Sequence, residues 1–319
     1  MLPSTSPQAF LSIAVLVPCC NEEKTIAAVV RDFRKVLPGA TIYVYDNNSV
    51  DHTREEALGA GAILRREPLQ GKGWVVRKMF ADIEADYYVL VDGDGTYDAT
   101  IIPSMIEVVR EENLAMLVGR RVHESEEAYR PGHVLGNKLL TASVAWLFGR
   151  SFTDILSGYR VFSRAFVKSF PVSSSGFEIE TELTVHALTL GLPISEVATV
   201  YRERPAGSTS KLNTYRDGVR ILWTIFKLFK NERPLTFFGS CGGVCLAASG
   251  IISWPIFVTY LETGLVPRFP TAILATGLAL YSLIMFACGL ILDTVTKGRR
   301  EMKLLFYLHQ SGPVRNRGA

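Results

Sequence analysis

Apolar and polar positions alternate in blocks along the first two hundred residues. A short apolar run at 12–17 stops at Pro18 and reads as a buried strand. Ile26, Val29, Val30, Phe33 and Leu37 then recur at i, i+3, i+4, i+7 and i+11, which is one face of a helix. Asn21 is a candidate N-cap for that helix, with Glu22 and Glu23 in the first turn. A second strand at 41–45 ends in Asp46-Asn47-Asn48-Ser49, followed by a helix at 53–58, a strand at 62–64 and a helix at 72–83. A strand at 87–91 runs into Asp92-Gly93-Asp94-Gly95, and segments 101–112 and 114–118 repeat the helix–strand unit. The alternation predicts an α/β domain with a doubly wound, mostly parallel sheet. Such sheets bind ligands at the carboxyl ends of their strands. The polar pairs Asn21/Glu22, Asp46/Asn48 and Asp92/Asp94 fall at those ends.

Beyond residue 213 the pattern changes. Residues 214–230 read as a helix with a basic stripe of Arg216, Arg220, Lys227 and Lys230, the rest covered by side chains such as Leu222, Trp223, Phe226 and Phe229. That composition suits a membrane interface. Residues 235–261 and 269–292 hold no charged residue, and each run exceeds the roughly 20 residues that span a bilayer as a helix. Two such runs joined by a short loop argue against a single buried core helix. Pro255 and the glycines of the first run are tolerated in membrane helices. Lys227, Lys230 and Arg233 precede the pair, Lys297, Arg299, Arg300 and Lys303 follow it, and the loop between holds only Glu262 and Arg268. The positive-inside rule then puts both ends of the hairpin in the cytoplasm. The expected layout is a cytoplasmic α/β domain at 1–213, an amphipathic juxtamembrane helix at 214–233, a transmembrane hairpin at 234–293 and a basic cytoplasmic tail at 294–319. Small residues in the hairpin suit packing against partner subunits, a homo-oligomer among them.

The net charge of +3 hides a split: residues 1–200 carry 19 basic and 25 acidic side chains, and residues 201–319 carry 15 and 6. The basic excess lies around the hairpin, so an anionic lipid accounts for it and no nucleic-acid partner is expected. The five cysteines form no CxxC or Cys/His metal spacing and read as reduced structural thiols. The apolar stretch at 11–17 is short and runs into Asn21-Glu22-Glu23-Lys24 without a small-residue cleavage site, so it is not read as a secretory leader.

Candidate chemistry narrows by elimination. No GxxxxGK[ST] occurs, and Gly71-Lys72-Gly73 lacks the third glycine of a dinucleotide fingerprint. Counted from Asp92, an EF-hand would need Gly and Glu where Tyr97 and Pro103 stand. What remains is Asp92 and Asp94, two carboxylates one residue apart on a turn after a buried strand. They can share one hard cation, magnesium or manganese, whose shell is completed by substrate phosphates.

Several motifs, in order, resemble family 2 glycosyltransferases: the opening from Val15 to Glu23, Asp46-Asn47-Asn48-Ser49-Val50-Asp51-His52-Thr53, Gly71-Lys72-Gly73 and Asp92-Gly93-Asp94-Gly95. Asp154-Ile155-Leu156-Ser157-Gly158-Tyr159-Arg160 and Gly207-Ser208-Thr209-Ser210-Lys211-Leu212 are similar to the branch that glycosylates polyprenyl phosphates, such as dolichyl-phosphate mannosyltransferase. The likeness covers about residues 11–215, and the hairpin resembles the membrane-anchored bacterial and archaeal members. The resemblance implies a GT-A fold, a nucleotide-diphosphate sugar donor, a polyprenyl phosphate acceptor and a divalent metal, Mg2+ or Mn2+. It implies that Pro18, Asn21, Glu22, Asp46, Asn48 and Lys72 line the donor site, and that Asp92 and Asp94 hold the metal and the donor diphosphate. Arg121, Arg130, Arg160, Arg202 and Lys211 are the expected acceptor-phosphate contacts, and Asp94, Asp154, Arg160 and Lys211 the expected catalytic set. Many polyprenyl-phosphate members have Leu-Gln or similar after the second aspartate; here Gly95-Thr96-Tyr97-Asp98 stands there, which leaves a third metal contact from that side open.

A phosphate monoester is mostly dianionic at pH 7, so as an acceptor it needs cationic groups to hold it rather than a strong base. A sugar hydroxyl acceptor would need a base, for which Asp154 is the best candidate. Single-sugar transfer to a hydroxyl of a glycan or glycolipid therefore stays open, as does a non-catalytic nucleotide-sugar-binding module, against which the intact aspartate pair argues. Bland alternatives stand beside several residues: a loop cap for Asp154, a solvated helix start for Lys72, surface roles for Arg120 and Arg121. Glu178, Glu180 and Glu182 either face the acceptor sugar or open a helix.

Overall fold

A computed structural model describes residues 11–123, 141–146, 148, 152–172, 174, 176, 178–202 and 223–310, with 214–222 described in backbone alone. The expected acceptor contacts Arg130 and Lys211 lie outside the described residues. By its contacts the chain divides into one unit of Met1–Val219 with Lys303–Ala319, and another of Arg220–Met302.

The first unit is built on a seven-stranded sheet in the order β3-β2-β1-β4-β6-β5-β7. The strands are β1 (Ile13–Cys19), β2 (Thr41–Asp46), β3 (Ile63–Arg66), β4 (Tyr87–Leu90), β5 (Met116–His123), β6 (Arg160–Ser163) and β7 (Ile194–Tyr201). β1 to β4 pair in parallel, β6 runs antiparallel between β4 and β5, and β7 is parallel to β5. The sheet is mixed but mostly parallel, with helices between its parallel strands, as the alternation of elements predicts. The central strands β1 and β4 are buried almost throughout, as near-continuous apolar runs require when helices cover both faces. Edge strand β3 is largely exposed.

Helix α1 (Ile26–Val36) buries Ile26, Val29, Val30 and Phe33, the apolar stripe of the sequence. Phe33 meets Tyr159 edge-on at 6.2 Å between centroids, and burying such a ring contributes roughly 1.5–3 kcal/mol. The helix does not start at an Asn21 cap. Thr25 occupies the N-cap position without a side-chain cap bond, and Asn21, at φ 52°, turns its side chain to another loop. Helices α2 (Thr53–Gly59), α3 (Lys72–Asp82) and α4 (Ile102–Glu111) connect the parallel strands. Two further helices, α5 (Arg164–Ser169) and α6 (Ile179–Thr189), flank the return to β7.

Helix α7 (Thr214–Glu232) precedes two long apolar helices, α8 (Pro234–Thr263) and α9 (Phe269–His309). α8 opens with Pro234, closes at Gly264 in the left-handed region (φ 68°) and carries Pro255 in its interior. Only 11% and 17% of the most apolar stretches of α8 and α9 are buried within the protein, so these are not core helices of a water-soluble domain. They fit membrane anchoring. The two helices touch closely: a Cβ at Gly242 would come within 3.1 Å of the Ser282 carbonyl oxygen, and Ser249 Oγ donates to the Ala275 carbonyl at 2.7 Å. α9 continues as helix through residues 294–309, where the sequence suggested only a basic tail.

Candidate functional site at the strand ends

Three loops at the carboxyl ends of β1, β2 and β4 are tied together by their own polar side chains. Asn21 Oδ1 accepts from Val50 N at 2.9 Å, while Asn21 N donates to Ser49 Oγ at 2.9 Å. Glu22 N donates to Thr53 Oγ1 at 2.8 Å. Asp51 accepts from Glu23 N and from both Thr53 donors. Burial would raise the Asp51 carboxyl, but the Thr53 and backbone donors outweigh it and hold it below the usual carboxylate range. Asn47, which the sequence reading passed over, bridges three segments. Its amide donates to the Glu67 and Leu69 carbonyls and its oxygen accepts from Gly71 N at 2.7 Å. Asn48 accepts from Arg66 Nη2 and donates to the Pro68 carbonyl. The structure thus brings Pro18, Asn21, Glu22, Asp46 and Asn48 to neighbouring strand ends. Asp46 differs from expectation in one respect. It is fully buried, accepts from Ser49 N at 3.0 Å and pairs with Arg54 Nε at 2.7 Å. Its carboxylate shapes the cradle from inside rather than standing open to a donor.

Lys72, the first residue of α3, is not a solvated helix start. Its side chain is 8% exposed and its Nζ contacts both Asp92 Oδ1 and Glu180 Oε1, the latter at 2.6 Å. Burial would lower this ammonium's pKa, but the carboxylates of Asp92 and Glu180 outweigh it and raise the pKa, so Lys72 is charged. Gly158 packs on this group: a Cβ there would stand 2.5 Å from Asp92 Oδ2 and 3.1 Å from Lys72 Nζ. Gly158→Ala is therefore expected to displace the Asp92–Lys72 pair and to lower the rate of any reaction that uses it at least about ten-fold, with initial rates as the readout.

Asp94 is 4% exposed, and its Oδ1 accepts from Thr96 N at 3.2 Å and Thr96 Oγ1 at 2.6 Å. Between the two aspartates, Gly93 O accepts from Thr25 Oγ1 at 2.7 Å, and a Cβ on Gly93 would collide with Glu22 Oε2. Glu22 therefore lies against the aspartate loop. Among the described residues no three His, Cys, Asp or Glu side chains form a metal cage. Asp92 and Asp94 offer hard oxygen donors in the number that Mg2+ or Mn2+ uses when substrate phosphates complete its shell. The residues fit an ion that arrives with a diphosphate.

On the other side of the site Arg121 grips Asp154 with a two-pronged contact, Nε to Oδ2 and Nη2 to Oδ1, both at 2.7 Å. The Arg121 guanidinium also lies over the Tyr201 ring at 5.5 Å. Glu196 holds the backbone of Thr153 and Asp154, a role no local sequence signal announced. Burial would raise the Asp154 carboxyl, but Arg121 outweighs it and holds it below the usual range. Stability from a depressed carboxyl is present above the unfolded pKa and is lost as pH falls through the folded one. Asp154→Asn is thus expected to lose roughly 3–5 kcal/mol at neutral pH, and the gap from wild type should close below about pH 4. Denaturant melts across pH measure it.

Arg160 is the main departure from expectation. It is 0% exposed. Its Nε donates to the Ser157 carbonyl at 2.9 Å, its Nη2 to the Ile155 carbonyl at 2.6 Å and its Nη1 to Thr184 Oγ1 at 2.9 Å. Burial pulls its pKa down to about 10, so it stays protonated at neutral pH. Arg160 is enclosed under the 154–159 loop, committed to its carbonyls, and is not open to a ligand. Arg202 is exposed, its backbone N–H donates to the Thr96 carbonyl at 2.8 Å, and its guanidinium lies 3.6 Å from Asp98. That places a cation beside the aspartate loop. His186 is buried against Phe166 and Phe170 and held neutral, burial pulling its pKa down to about 3.

Comparisons with known proteins bear on this geometry. Residues 14–170 match the family described as Glycosyl transferase family 2. Glycosyltransferase AglJ of Haloferax volcanii is 36% identical over 255 residues, 78% of this chain and 82% of the relative. The chain belongs to glycosyltransferase family 2. A dolichyl-phosphate hexose transferase of the same organism is 28% identical, covering 70% of this chain and 96% of its own length. Among solved structures, glucosyl-3-phosphoglycerate synthase from Mycobacterium tuberculosis with Mg2+ and UDP superposes with a TM-score of 0.55 at 24% identity, over 68% of this chain and 80% of that one. The same enzyme has also been crystallised with Mn2+ and UDP-glucose. That likeness speaks to the fold. For a family 2 transferase, the loops at β1, β2 and β4 are the candidate donor side of the site.

Proposed function

We propose that this glycosyltransferase moves a single sugar from a nucleotide-diphosphate donor onto a polyprenyl phosphate at the cytoplasmic face of a membrane, with inversion by single displacement. The observation that carries the reading is that one chain holds the Asp92/Asp94 loop and two long, largely unburied apolar helices. A water-soluble donor and a lipid-held acceptor need that combination. The dolichyl-phosphate hexose transferase relative supports the acceptor class, and a neighbour crystallised with Mn2+ and UDP-glucose supports a metal-bound nucleotide sugar. A divalent ion held by Asp92 and Asp94 would supply positive charge to neutralise what develops on the leaving group. The chain's own residues do the rest: the Asn21, Asn47 and Asp51 staples shape the donor cradle, and Lys72 sets a cation beside Asp92. Arg121 and Arg202 supply cations near the loop over which an acceptor phosphate would approach. The domain at 1–213 would be the catalytic unit, with the basic flanks of the hairpin facing the cytoplasm.

The state of Asp154 favours a phosphate acceptor over a hydroxyl. A general base works best with a pKa near the working pH. Asp154 is held low by Arg121, and a dianionic phosphate needs no such base. The test is full-length protein in lipid nanodiscs with Mn2+, undecaprenyl or dolichyl phosphate, and a panel of UDP- and GDP-sugars. A lipid-linked monosaccharide is the expected product. Its absence with every donor, together with transfer to a free glycan hydroxyl, would replace the reading with the hydroxyl-acceptor one.

A further inference from the structure

Behind Lys72 lies a buried carboxylate, Glu180. It is 4% exposed, sits on α6, and gives one carboxylate oxygen to Lys72. Its other oxygen, Oε2, is buried and accepts no hydrogen bond from any described residue. Its place is rigid: Thr184 Oγ1 donates to the Glu180 carbonyl at 3.1 Å and in turn accepts from Arg160, while Ile179, Thr181 and Leu183 around it are buried. Lys72 is the long, adaptable partner between two carboxylates, one fixed on α6 and one on the aspartate loop.

That arrangement creates a conflict for Asp92. An ammonium already sits on its Oδ1, and a divalent cation approaching the same carboxylate would be repelled by it. Buried charge cannot simply be released into water, so the ammonium needs another anion close by. Glu180 supplies one, with an acceptor oxygen that no described residue engages.

We propose that Glu180 is a positioning residue for donor binding: it retains the Lys72 ammonium as Asp92 turns to the cation and diphosphate of the donor, Oε2 taking up the N–H that Asp92 gives back. Lys72 then remains beside the donor diphosphate rather than competing with it. The inference rests on the reading of a metal-bound nucleotide-sugar donor, and it is independent of which acceptor follows.

The test is a double-mutant cycle read by binding, not turnover, on the full chain in detergent or nanodiscs. Calorimetry measures Mn2+ alone, and Mn2+ with UDP or GDP, on wild type, Glu180→Gln, Lys72→Met and the double variant. Lys72→Met removes the competing ammonium, and Mn2+ alone should bind about ten-fold tighter. Glu180→Gln leaves Lys72 with Asp92 as its one anion among the described residues, and Mn2+ with nucleotide should bind about ten-fold more weakly. In the Lys72→Met background the Glu180→Gln change should have no further effect. An equal effect of Glu180→Gln in both backgrounds overturns the proposal, because a merely structural role is indifferent to Lys72. So does a Lys72→Met protein that binds Mn2+ no tighter than wild type, a result that stands even if Glu180→Gln fails to fold. Intact coupling without any lipid-linked product would instead count against the acceptor reading alone.

Discussion

Replacing Asp94 with asparagine is expected to cut sugar transfer by roughly 10²–10³-fold, the scale on which losing one preorganised charge-stabilising group acts, at nearly unchanged thermal stability. The asparagine is the informative change because it separates two roles of one carboxylate. Asp94 Oδ1 accepts from the Thr96 amide and hydroxyl, and an amide oxygen in the same place can accept both. The local turn therefore survives, while the negative charge that a divalent ion would meet is gone. Asp94→Ala removes both and adds the loss of the turn's hydrogen bonds, about 1 kcal/mol net for each. Initial rates and melting temperatures of the two variants side by side are the measurement. Transfer retained by Asp94→Asn would remove the carboxylate from the chemistry. Transfer lost only in Asp94→Ala would make Asp94 a loop-holding residue.

The parts of the fold that were legible in the sequence are those whose cause is local. The stripe of Ile26, Val29, Val30 and Phe33 marks α1 because a helix meets a sheet along one face. The runs that became β1, β2 and β4 are short, apolar and bounded by turn residues. Strand β6 was not legible. Its four residues have no period, and its partner β4 lies some seventy positions earlier in the chain, with Leu90 opposite Arg160. Asn21 misled for a physical reason: the same short polar side chain that caps helices also staples loops, and here it reaches Val50 across the site. The aspartate pair was read correctly as the end of a buried strand, but its neighbours were not. Lys72 and Glu180 come to Asp92 from two different helices. Nothing in the alternation of Glu178, Glu180 and Glu182 singles out the middle one.

Arg160 shows most plainly what a motif cannot say. An arginine in a loop of a phosphate-handling enzyme reads as a phosphate contact, yet here it is enclosed and committed to the carbonyls of Ile155 and Ser157 and the hydroxyl of Thr184. Arg160→Met should consequently lose at least about 3 kcal/mol of stability, because two buried carbonyls lose their donors and nearby carboxylates lose a counter-charge. For a unit of about two hundred residues that corresponds to a fall in Tm of roughly 6–12 °C. Arg160→Lys sharpens the point. A lysine keeps the positive charge, which a phosphate site would accept at some cost in KM, but it cannot span three acceptors as the planar guanidinium does. Lysine is therefore expected to lower Tm nearly as far as methionine. Below its melting point either variant should keep its affinity for the lipid phosphate, with activity following the fraction of folded protein. A lysine variant of wild-type Tm with a raised KM for polyprenyl phosphate would return Arg160 to the acceptor site, and with it the whole 154–160 loop.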